Sequence, residues 1–331
     1  MNAPEGARSA VVEAPADDDG QLATAPSSAR PGELVLASER WQLGVLPALG
    51  GCWSFGRIRV GERWVDLLRP TPEGGMANPE QTASFPLIPW SNRIRDGVLT
   101  WDGRSYQLER SGADGTAIHG AVRQFPWQVA ARSDASVDLR FSSRDVVGVN
   151  WPWRFSARQV FSLAGDALEV QLSVTNDDDV AFPAGLGHHP YFQRRLLDED
   201  AVLTVDARAG YELDAGMALG AAGAVPPRAD YRAGRPLGSD FVDDVLTDLG
   251  PTAARWLYPD AGVEVSLRAD EAFSHLVVYL PVGREHFAVE PVTHVNDGIG
   301  LLGRGVDGTG VRILAPGETF TGSFRLAVST A

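Results

Sequence analysis

The stretch FSARQVFSLAGDALEVQLSVT, residues 155–175, indicates most directly how this chain folds. Across residues 167–175 apolar and polar side chains alternate, which is the two-residue period of a half-buried β-strand. Residues 155–162 form a similar run, and Ala164, Gly165 and Asp166 between the two runs have the composition of a turn. The stretch therefore predicts two strands joined by a tight turn.

Further runs of this kind extend along the chain on both sides of that pair. They cover residues 136–142, 263–268, 276–280, 287–290 and 320–328. Asp102 and Gly103 lie within a shorter run, residues 101–106, and predict another hairpin. No run keeps a strong helical period over about 12 residues, and only residues 243–249 suggest a short helical turn. We therefore predict an all-β fold of mainly antiparallel strands, spaced about as in a sandwich.

The composition agrees with many short strands and turns. The 331 residues include 36 glycines and 22 prolines, which exceeds average usage. Apolar residues make up 44% of the chain, enough to fill a sizeable core. Residues 1–32 are rich in Ala, Pro, Ser and Asp and contain no aromatic side chain. We predict a disordered tail there and a single domain over residues 33–331.

The charged and reactive side chains exclude several classes of function. The chain has no lysine, so its 29 basic residues are all arginine, which excludes Schiff-base chemistry and a phosphate-loop lysine. A net charge of −14 opposes binding to nucleic acid or to an anionic membrane. The single cysteine, Cys52, excludes an intrachain disulfide framework and a thiolate zinc cluster, and it is predicted to lie in the core.

The sequence also bears on where the protein works. No segment reaches the roughly 18 apolar residues that a membrane span needs. The first residues lack the basic start and the apolar stretch of a secretory signal. We therefore expect a cytoplasmic protein without a membrane partner.

Three of the six histidines lie in settings that suit chemistry. His188 and His189 are neighbours, and on a strand only one of them can face a cleft. His119 precedes Gly120, a residue that lets another backbone approach closely. An imidazole suits general acid catalysis, although a single histidine is more often structural.

Carboxylates, an amide and a guanidinium complete the set of candidates. Glu290 follows three apolar residues in a run that we expect Pro291 to end. Partial burial would raise its pKa toward the range of a general base, and an outward-facing strand carboxylate is the alternative. Asp243 could cap a helix or bind a polar ligand. Asn92 and Arg93 could hold the oxygen atoms of a ligand.

In their order along the chain these elements resemble the aldose 1-epimerase, or galactose mutarotase, family. The order is Asn92-Arg93-Ile94 with Gly97, Ile118-His119-Gly120, His189-Pro-Tyr-Phe192, an acidic pair at Asp243, and Glu290-Pro291. The resemblance covers nearly all of the chain from about Glu33 onward. It implies an antiparallel β-supersandwich of the galactose mutarotase type, with an active site in a cleft on one sheet. It also implies interconversion of the α and β anomers of a free sugar.

The resemblance further implies a role for each candidate. His189 matches the family's general acid, and Glu290 matches its general base. The matches to sugar-binding positions are Asn92, Arg93, His119 and Asp243. Acid–base opening of a pyranose needs neither a metal nor nicotinamide, so we expect no cofactor and a small sugar as the partner. A monomer and a homodimer both stay open.

Departures from the galactose mutarotase pattern leave the identity of the sugar open. His119 is followed by Gly-Ala where Gly-Gly is usual, and Val292 stands where Gln often follows Glu-Pro. These differences resemble a divergent branch of the family. One alternative inside the family is a hexose-6-phosphate 1-epimerase, for which Arg95 and Arg123 could bind the phosphate.

Two alternatives lie outside the family's chemistry. The first is a carbohydrate-binding protein that keeps the cleft without turnover. The second is a metal site built from His119, His189 and Glu290.

Aromatic side chains near the motifs are candidates for stacking on the apolar face of a sugar. They are Trp90, Trp151, Trp153 and Phe192. Ordinary core packing is the alternative for each of them, because large aromatic residues also dominate protein cores.

Overall fold

Antiparallel strand pairing organises most of the chain. The computed structural model of the protein describes residues 30–330. Within that range it has 26 strands, which are β1 (Leu34–Ala37), β2 (Trp41–Leu46), β3 (Cys52–Val60), β4 (Arg63–Asp66), β5 (Pro86–Leu87), β6 (Arg93–Ile94), β7 (Val98–Trp101), β8 (Arg104–Gln107), β9 (Ala117–Ile118), β10 (Gln128–Arg132), β11 (Ser136–Ser142), β12 (Phe155–Ala164), β13 (Ala167–Asn176), β14 (Phe182–Ala184), β15 (Gly187–His188), β16 (Tyr191–Gln193), β17 (Val202–Gly210), β18 (Leu213–Asp214), β19 (Met217–Ala218), β20 (Arg235–Pro236), β21 (Val242–Tyr258), β22 (Val263–Ala269), β23 (His275–Leu280), β24 (His286–Val292), β25 (Arg312–Leu314) and β26 (Thr319–Thr330).

The helices are short. One α-helix, α1, spans Gly298–Gly303, and the 3₁₀ helices are Gly75–Ala77, Pro79–Gln81, Arg95–Gly97 and Pro227–Ala229. In the part of the chain that the structure describes, none of the helices is long and apolar enough to cross a membrane.

Two sheets carry most of these strands. The larger sheet has 14 strands in the order β10-β11-β12-β13-β26-β22-β21-β23-β24-β15-β5, with β16, β17 and β20 paired beside this path. A four-stranded meander, β1 to β4, forms the other sheet. This architecture is the predicted antiparallel β-supersandwich.

Both predicted hairpins are confirmed. Ala164 pairs with Ala167, so Gly165 and Asp166 form the two-residue turn between β12 and β13. The pairing of Trp101 with Arg104 closes the second hairpin, between β7 and β8, around its Asp-Gly turn. In each case a local sequence pattern was sufficient, because a two-residue turn brings the flanking strands together directly.

Two local predictions are wrong, and strand pairing explains both. Residues 243–249 do not form a helical turn, because they belong to β21, a strand of 17 residues. They pair with β23 on one side and β17 on the other, and such partners override weak local preferences. Pro291 does not end its strand either. It pairs with Leu276, and β24 continues to Val292, which pairs with Gly187.

The main hydrophobic core joins residues from both sheets. It includes Leu36 and Trp41 of the small sheet together with Leu326 and Val328 of the large one. Cys52 is also fully buried, as predicted. Because one core connects the two sheets, we propose that residues 33–331 form a single domain.

The four aromatic candidates for a sugar platform lie in this core instead. Trp90 stacks on Trp151 with ring centroids 5.1 Å apart, and Trp153 stacks on Phe182 at 5.5 Å. Phe192 is fully buried against Trp256. Core packing, the alternative for each of them, is therefore the observed role.

The predicted tail, residues 1–32, lies outside the described residues except for its last three. Arg30 is already attached to the domain, because its guanidinium donates to the carbonyl of Thr71 at 3.0 Å. Its backbone N–H donates to Glu33 at 3.0 Å, and the buried Glu33 carboxylate accepts a hydrogen bond from Ser54. Arg30 therefore already contacts the domain, although it lies before the predicted boundary.

Candidate active site

Candidate residues that are far apart in sequence meet in one cavity of about 410 Å³. This volume lies within the range of small-molecule sites. All six predicted site residues line the cavity, namely Asn92, Arg93, His119, His189, Asp243 and Glu290.

Strand register places two of the carboxylates on one wall. Asp243 of β21 lies opposite Tyr279 of β23, and Glu290 of β24 lies opposite Val277 of β23. Tyr279 and Val277 are two residues apart, so they share a face of the sheet. Asp243, Tyr279 and Glu290 consequently project from the same face into the cavity.

The two neighbouring histidines point to opposite sides, as predicted. His188 faces the core, where its ring stacks on Trp53 at 4.2 Å and its Nδ1 lies 2.5 Å from the hydroxyl of Ser84. His189 faces the cavity, where its Nε2 lies 3.2 Å from Oε1 of Glu290. The alternation of a strand separates these two environments.

The backbone brings Asn92 and His119 together. The short strands β6 and β9 pair next to them, and the N–H of His119 donates to the carbonyl of Asn92 at 2.9 Å. Both residues have left-handed backbones, with φ of 51° and 66°, a conformation that functional sites often retain despite its strain. Gly120 follows with φ +72°, and a Cβ there would collide with the backbone of Ile88. The close approach predicted at Gly120 is thus confirmed.

Burial controls the protonation of the His189–Glu290 pair. It raises the pKa of Glu290 well above the usual value; the nearby Asp243 raises it further, and Arg93 opposes the shift. Burial also lowers the pKa of His189 well below its usual value, and the positive charge of Arg69 lowers it further. Both side chains are almost fully buried, so an outward-facing Glu290 is excluded. Both shifts favour the uncharged forms, a protonated Glu290 and a neutral His189, over an ion pair.

Arg93 lies at the centre of a polar network in the cavity wall. Its Nε donates to Asp114 at 2.8 Å, and its Nη1 donates to Oδ1 of Asn92 at 2.9 Å. Its Nη2 lies 3.4 Å from the carboxylate of Asp243. Burial raises the pKa of Asp243, although Arg93 partly offsets this effect. The guanidinium of Arg93 and the carboxylate of Asp243, which both line the cavity, are thus in position to bind hydroxyl groups of a ligand.

Aromatic rings next to the His189–Glu290 pair were missed by sequence reasoning. Tyr191 packs on His189 with ring centroids 4.4 Å apart, and Phe85 packs on the same imidazole at 4.9 Å. Tyr191 and Tyr279 also line the cavity. Tyr191 could have been found from the sequence, because a residue two positions after His189 on an extended chain shares its face.

Charged residues of the cavity and its support that lie on short segments were also missed. Glu80 and Asp114 both belong to the wall or to its support. Glu80 lies in a 3₁₀ helix of three residues and Asp114 lies in a loop, and neither segment is long enough to show a period that indicates where its carboxylate points.

The second aspartate of the acidic pair serves stability. Asp244 is fully buried, and both of its carboxylate oxygens accept hydrogen bonds from Arg228 at 2.7 Å.

We expect Arg228→Ala to lower the free energy of unfolding by about 3 kcal/mol, because it leaves a buried carboxylate without its partner. Urea unfolding measures this loss. The control is Arg208→Ala, which breaks the exposed pair with Asp248 and should leave stability unchanged. Equal effects of the two substitutions would contradict the assignment.

Larger cavities elsewhere on the described surface lack a contact like that between His189 and Glu290. Two of them, of about 800 and 530 Å³, lie along the outward face of the large sheet. Arg158, which lines the first, is already paired with Asp138 at 2.9 Å. The smaller cavity that contains the His189–Glu290 pair is therefore the candidate active site.

A metal centre is not supported by the arrangement of side chains. Between residues 30 and 330, no three His, Cys, Asp or Glu side chains are arranged to hold a metal ion. The proposed triad of His119, His189 and Glu290 shares the cavity without forming such a group.

Comparisons with known proteins agree with these features. The family model described as aldose 1-epimerase matches residues 46–327 of this chain. The uncharacterized protein YphB of Escherichia coli K12 is 28% identical over 277 residues, which are 79% of this chain and 88% of YphB.

Solved structures show the same fold. A candidate aldose 1-epimerase from Escherichia coli K12 superposes with a TM-score of 0.77 at 26% identity, over 90% of this chain and 99% of its own. A galactose mutarotase-like protein from Clostridium acetobutylicum gives a TM-score of 0.79 at 19% identity, over 90% of this chain and 95% of its own. At 19% identity the second likeness concerns the fold alone.

Proposed function

Because the chain belongs to the aldose 1-epimerase family, an isomerase family, we propose that it interconverts the α and β anomers of a free aldose. His189 acts as the general acid and Glu290 as the general base. The observation that carries this proposal is the direct contact of these two side chains, 3.2 Å apart, in a cavity lined by polar groups.

The adjacency of acid and base suits the chemistry of an anomeric centre. In a pyranose, O1 and the ring oxygen O5 are both bonded to C1, so two side chains in contact can reach both atoms. Glu290 removes the proton from the O1 hydroxyl while His189 donates a proton to O5. The C1–O5 bond breaks, and O1 becomes the oxygen of an aldehyde. Rotation about C1–C2 and the reverse transfers close the ring on the other face.

This cycle needs one proton on the His189–Glu290 pair. Ring opening requires a carboxylate at Glu290 and an imidazolium at His189. Transfer of the shared proton from carboxyl to imidazole along their 3.2 Å contact produces that state. Opening then leaves Glu290 protonated and His189 neutral, and closure restores both. Each group contributes about 10²–10⁴-fold to the rate.

The remaining polar side chains bind the sugar hydroxyls. Arg93 and Asn92 offer N–H donors, and Asp243 on β21 offers a carboxylate acceptor. His119 packs beside His189 with ring centroids 5.3 Å apart, which places it near the reacting end of the sugar. Tyr191 and Tyr279 supply aromatic surface for the apolar face of the ring.

The charges of the cavity favour a neutral sugar over a sugar phosphate. Arg123 is buried and paired with Glu80 at 3.2 Å, and Arg95 is paired with Asp297 at 3.5 Å. Arg93 lies between the carboxylates of Asp114 and Asp243, whose negative charge would repel a phosphate. A phosphate clamp needs guanidinium groups that are free to bind it. These pairings support a free aldose as the substrate.

A binding protein without turnover is the second alternative. Such a protein has no use for two titratable side chains kept in contact in a buried site, because burying them is unfavourable. The shifted pKa values of His189 and Glu290 are typical of catalytic groups and support an enzyme.

Polarimetry on freshly dissolved α-glucose and α-galactose tests the proposal. We expect the optical rotation to reach equilibrium much faster with the protein than without it. Glucose 6-phosphate, assayed beside glucose, should show no gain from its phosphate. The proposal fails if a panel of free aldoses shows no acceleration, and a marked preference for phosphorylated sugars would favour the hexose-6-phosphate alternative.

A further inference from the structure

We propose that Asp114 is a positioning residue, which holds Arg93 in its sugar-binding orientation and ties the loop of residues 109–116 to that arginine. This inference rests on the proposed function. Asp114 belongs to none of the motifs that the sequence analysis singled out, and its contacts identify its role.

The two carboxylate oxygens of Asp114 have separate tasks. Oδ2 accepts the hydrogen bond from Nε of Arg93 at 2.8 Å. Oδ1 accepts from Thr116, at 2.6 Å from the hydroxyl and 3.2 Å from the backbone N–H. One oxygen therefore shapes the loop and the other anchors the guanidinium. Between residues 30 and 330, the side chain of Asp114 has no other hydrogen-bond partner.

The loop that Asp114 stabilises forms part of the cavity wall. Ser111, Gly112 and Ala113 line the cavity directly. A backbone hydrogen bond from Gly112 to the carbonyl of Thr116, at 2.9 Å, closes the loop. The bond from Asp114 to Arg93 then joins this wall to the side chain that we propose binds the sugar.

Arg93 is also confined on its other sides. Oδ1 of Asn92 holds Nη1 at 2.9 Å. Gly216, with φ +77°, packs its backbone so close that a Cβ there would lie only 3.2 Å from the guanidinium carbon. The contact of Nη2 with Asp243, at 3.4 Å, is longer than a good hydrogen bond. The Nη2 edge is therefore the edge that a ligand oxygen can use.

Asp114→Asn separates the two tasks of the carboxylate. The amide oxygen can still accept from Thr116, so the loop keeps its internal bonds. The amide nitrogen would replace Oδ2, and a donor would then face the Nε–H donor of Arg93. We expect KM for the sugar to rise about 10-fold, because a charge-assisted hydrogen bond that orients the binding group is lost. We expect kcat to stay within about threefold, since Asp114 does not touch the acid–base pair.

A double-mutant cycle shows whether Asp114 acts through Arg93. In an Arg93→Ala background, Asp114→Asn should change KM by less than about twofold. Asp248→Asn is the matched control, because Asp248 pairs with Arg208 through the same type of Nε bond, at 3.0 Å, on an exposed edge. It should leave KM and kcat unchanged.

The outcomes separate this inference from the proposed function. An active wild type whose KM is unchanged in Asp114→Asn overturns the inference and leaves the epimerase intact. The inference is also overturned if Asp114→Asn still raises KM in the Arg93→Ala background. It is overturned as well if Asp114→Asn lowers kcat by the same factor as it raises KM. The Nε–H resonance of Arg93 can be observed by ¹⁵N NMR in the absence of any sugar. It should be sharp in the wild type and broadened or shifted in Asp114→Asn, and an unchanged resonance contradicts the inference even if no aldose is turned over.

Discussion

Glu290→Gln should lower kcat for mutarotation about 10³-fold, the largest loss that we expect from one substitution. Glutamine has nearly the same size as glutamate and can still accept a hydrogen bond from His189, but it cannot take the O1 proton. The side chain is buried on an inner strand. A neutral amide removes the cost of burying a charge there, so we expect stability to be retained.

The measurement is the polarimetric rate at saturating sugar, with circular dichroism as the check on folding. Glu264→Gln is the control, because this glutamate also lies on an inner strand, β22, but outside the cavity. It should keep full activity. A folded Glu290→Gln variant that retains more than about a tenth of kcat would exclude Glu290 as the general base.

His189→Asn should lower kcat about 10²–10³-fold, because no group then donates a proton to the ring oxygen. The neighbouring His188→Asn is a matched control. His188 stacks on Trp53 in the core and has no surface in the cavity, so its replacement should lower stability and leave kcat of the folded protein unchanged. Equal losses of kcat in the two variants would contradict the division of roles between the two histidines.

The pH profile of kcat/KM adds a second readout to the His189 experiment. The wild-type pair needs one proton, so the rate should fall at low pH, where the pair gains a second proton, and at high pH, where it loses the last one. In His189→Asn the pair keeps one titratable group, the carboxylate of Glu290. Because burial raises the pKa of Glu290, the remaining activity should rise with pH through that raised value. A residual activity that falls with pH would contradict Glu290 as the base.

The fold could be predicted from the sequence because strand alternation is a local property. The runs at residues 155–162 and 167–175 are β12 and β13, and their turn residues make the hairpin. The local sequence pattern predicted the wrong secondary structure where pairing with distant strands outweighed local preference. β21 shows this, because residues 243–249 extend between strands from other parts of the chain.

The six candidate site residues could be named from the order of their motifs, and they line one cavity. Their contact geometry could not be predicted. The 3.2 Å contact between His189 and Glu290 joins side chains 101 positions apart in sequence. It depends on the register of β15 and β16 against β24, in which Gly187 lies opposite Val292 and Tyr191 lies opposite Ala288. No single segment contains that information.

The sequence by itself therefore determined the class of fold, its hairpins and the residue types of the candidate site. Strand period and turn composition are local properties, and the motifs can be read in their order along the chain. Only the tertiary structure decided which aspartate of the pair faces the cavity and which aromatic rings stand beside the imidazole. It also decided that Asp114, on an irregular loop, reaches Arg93. These contacts depend on register and loop closure, which bring together segments whose local sequences carry no information about each other.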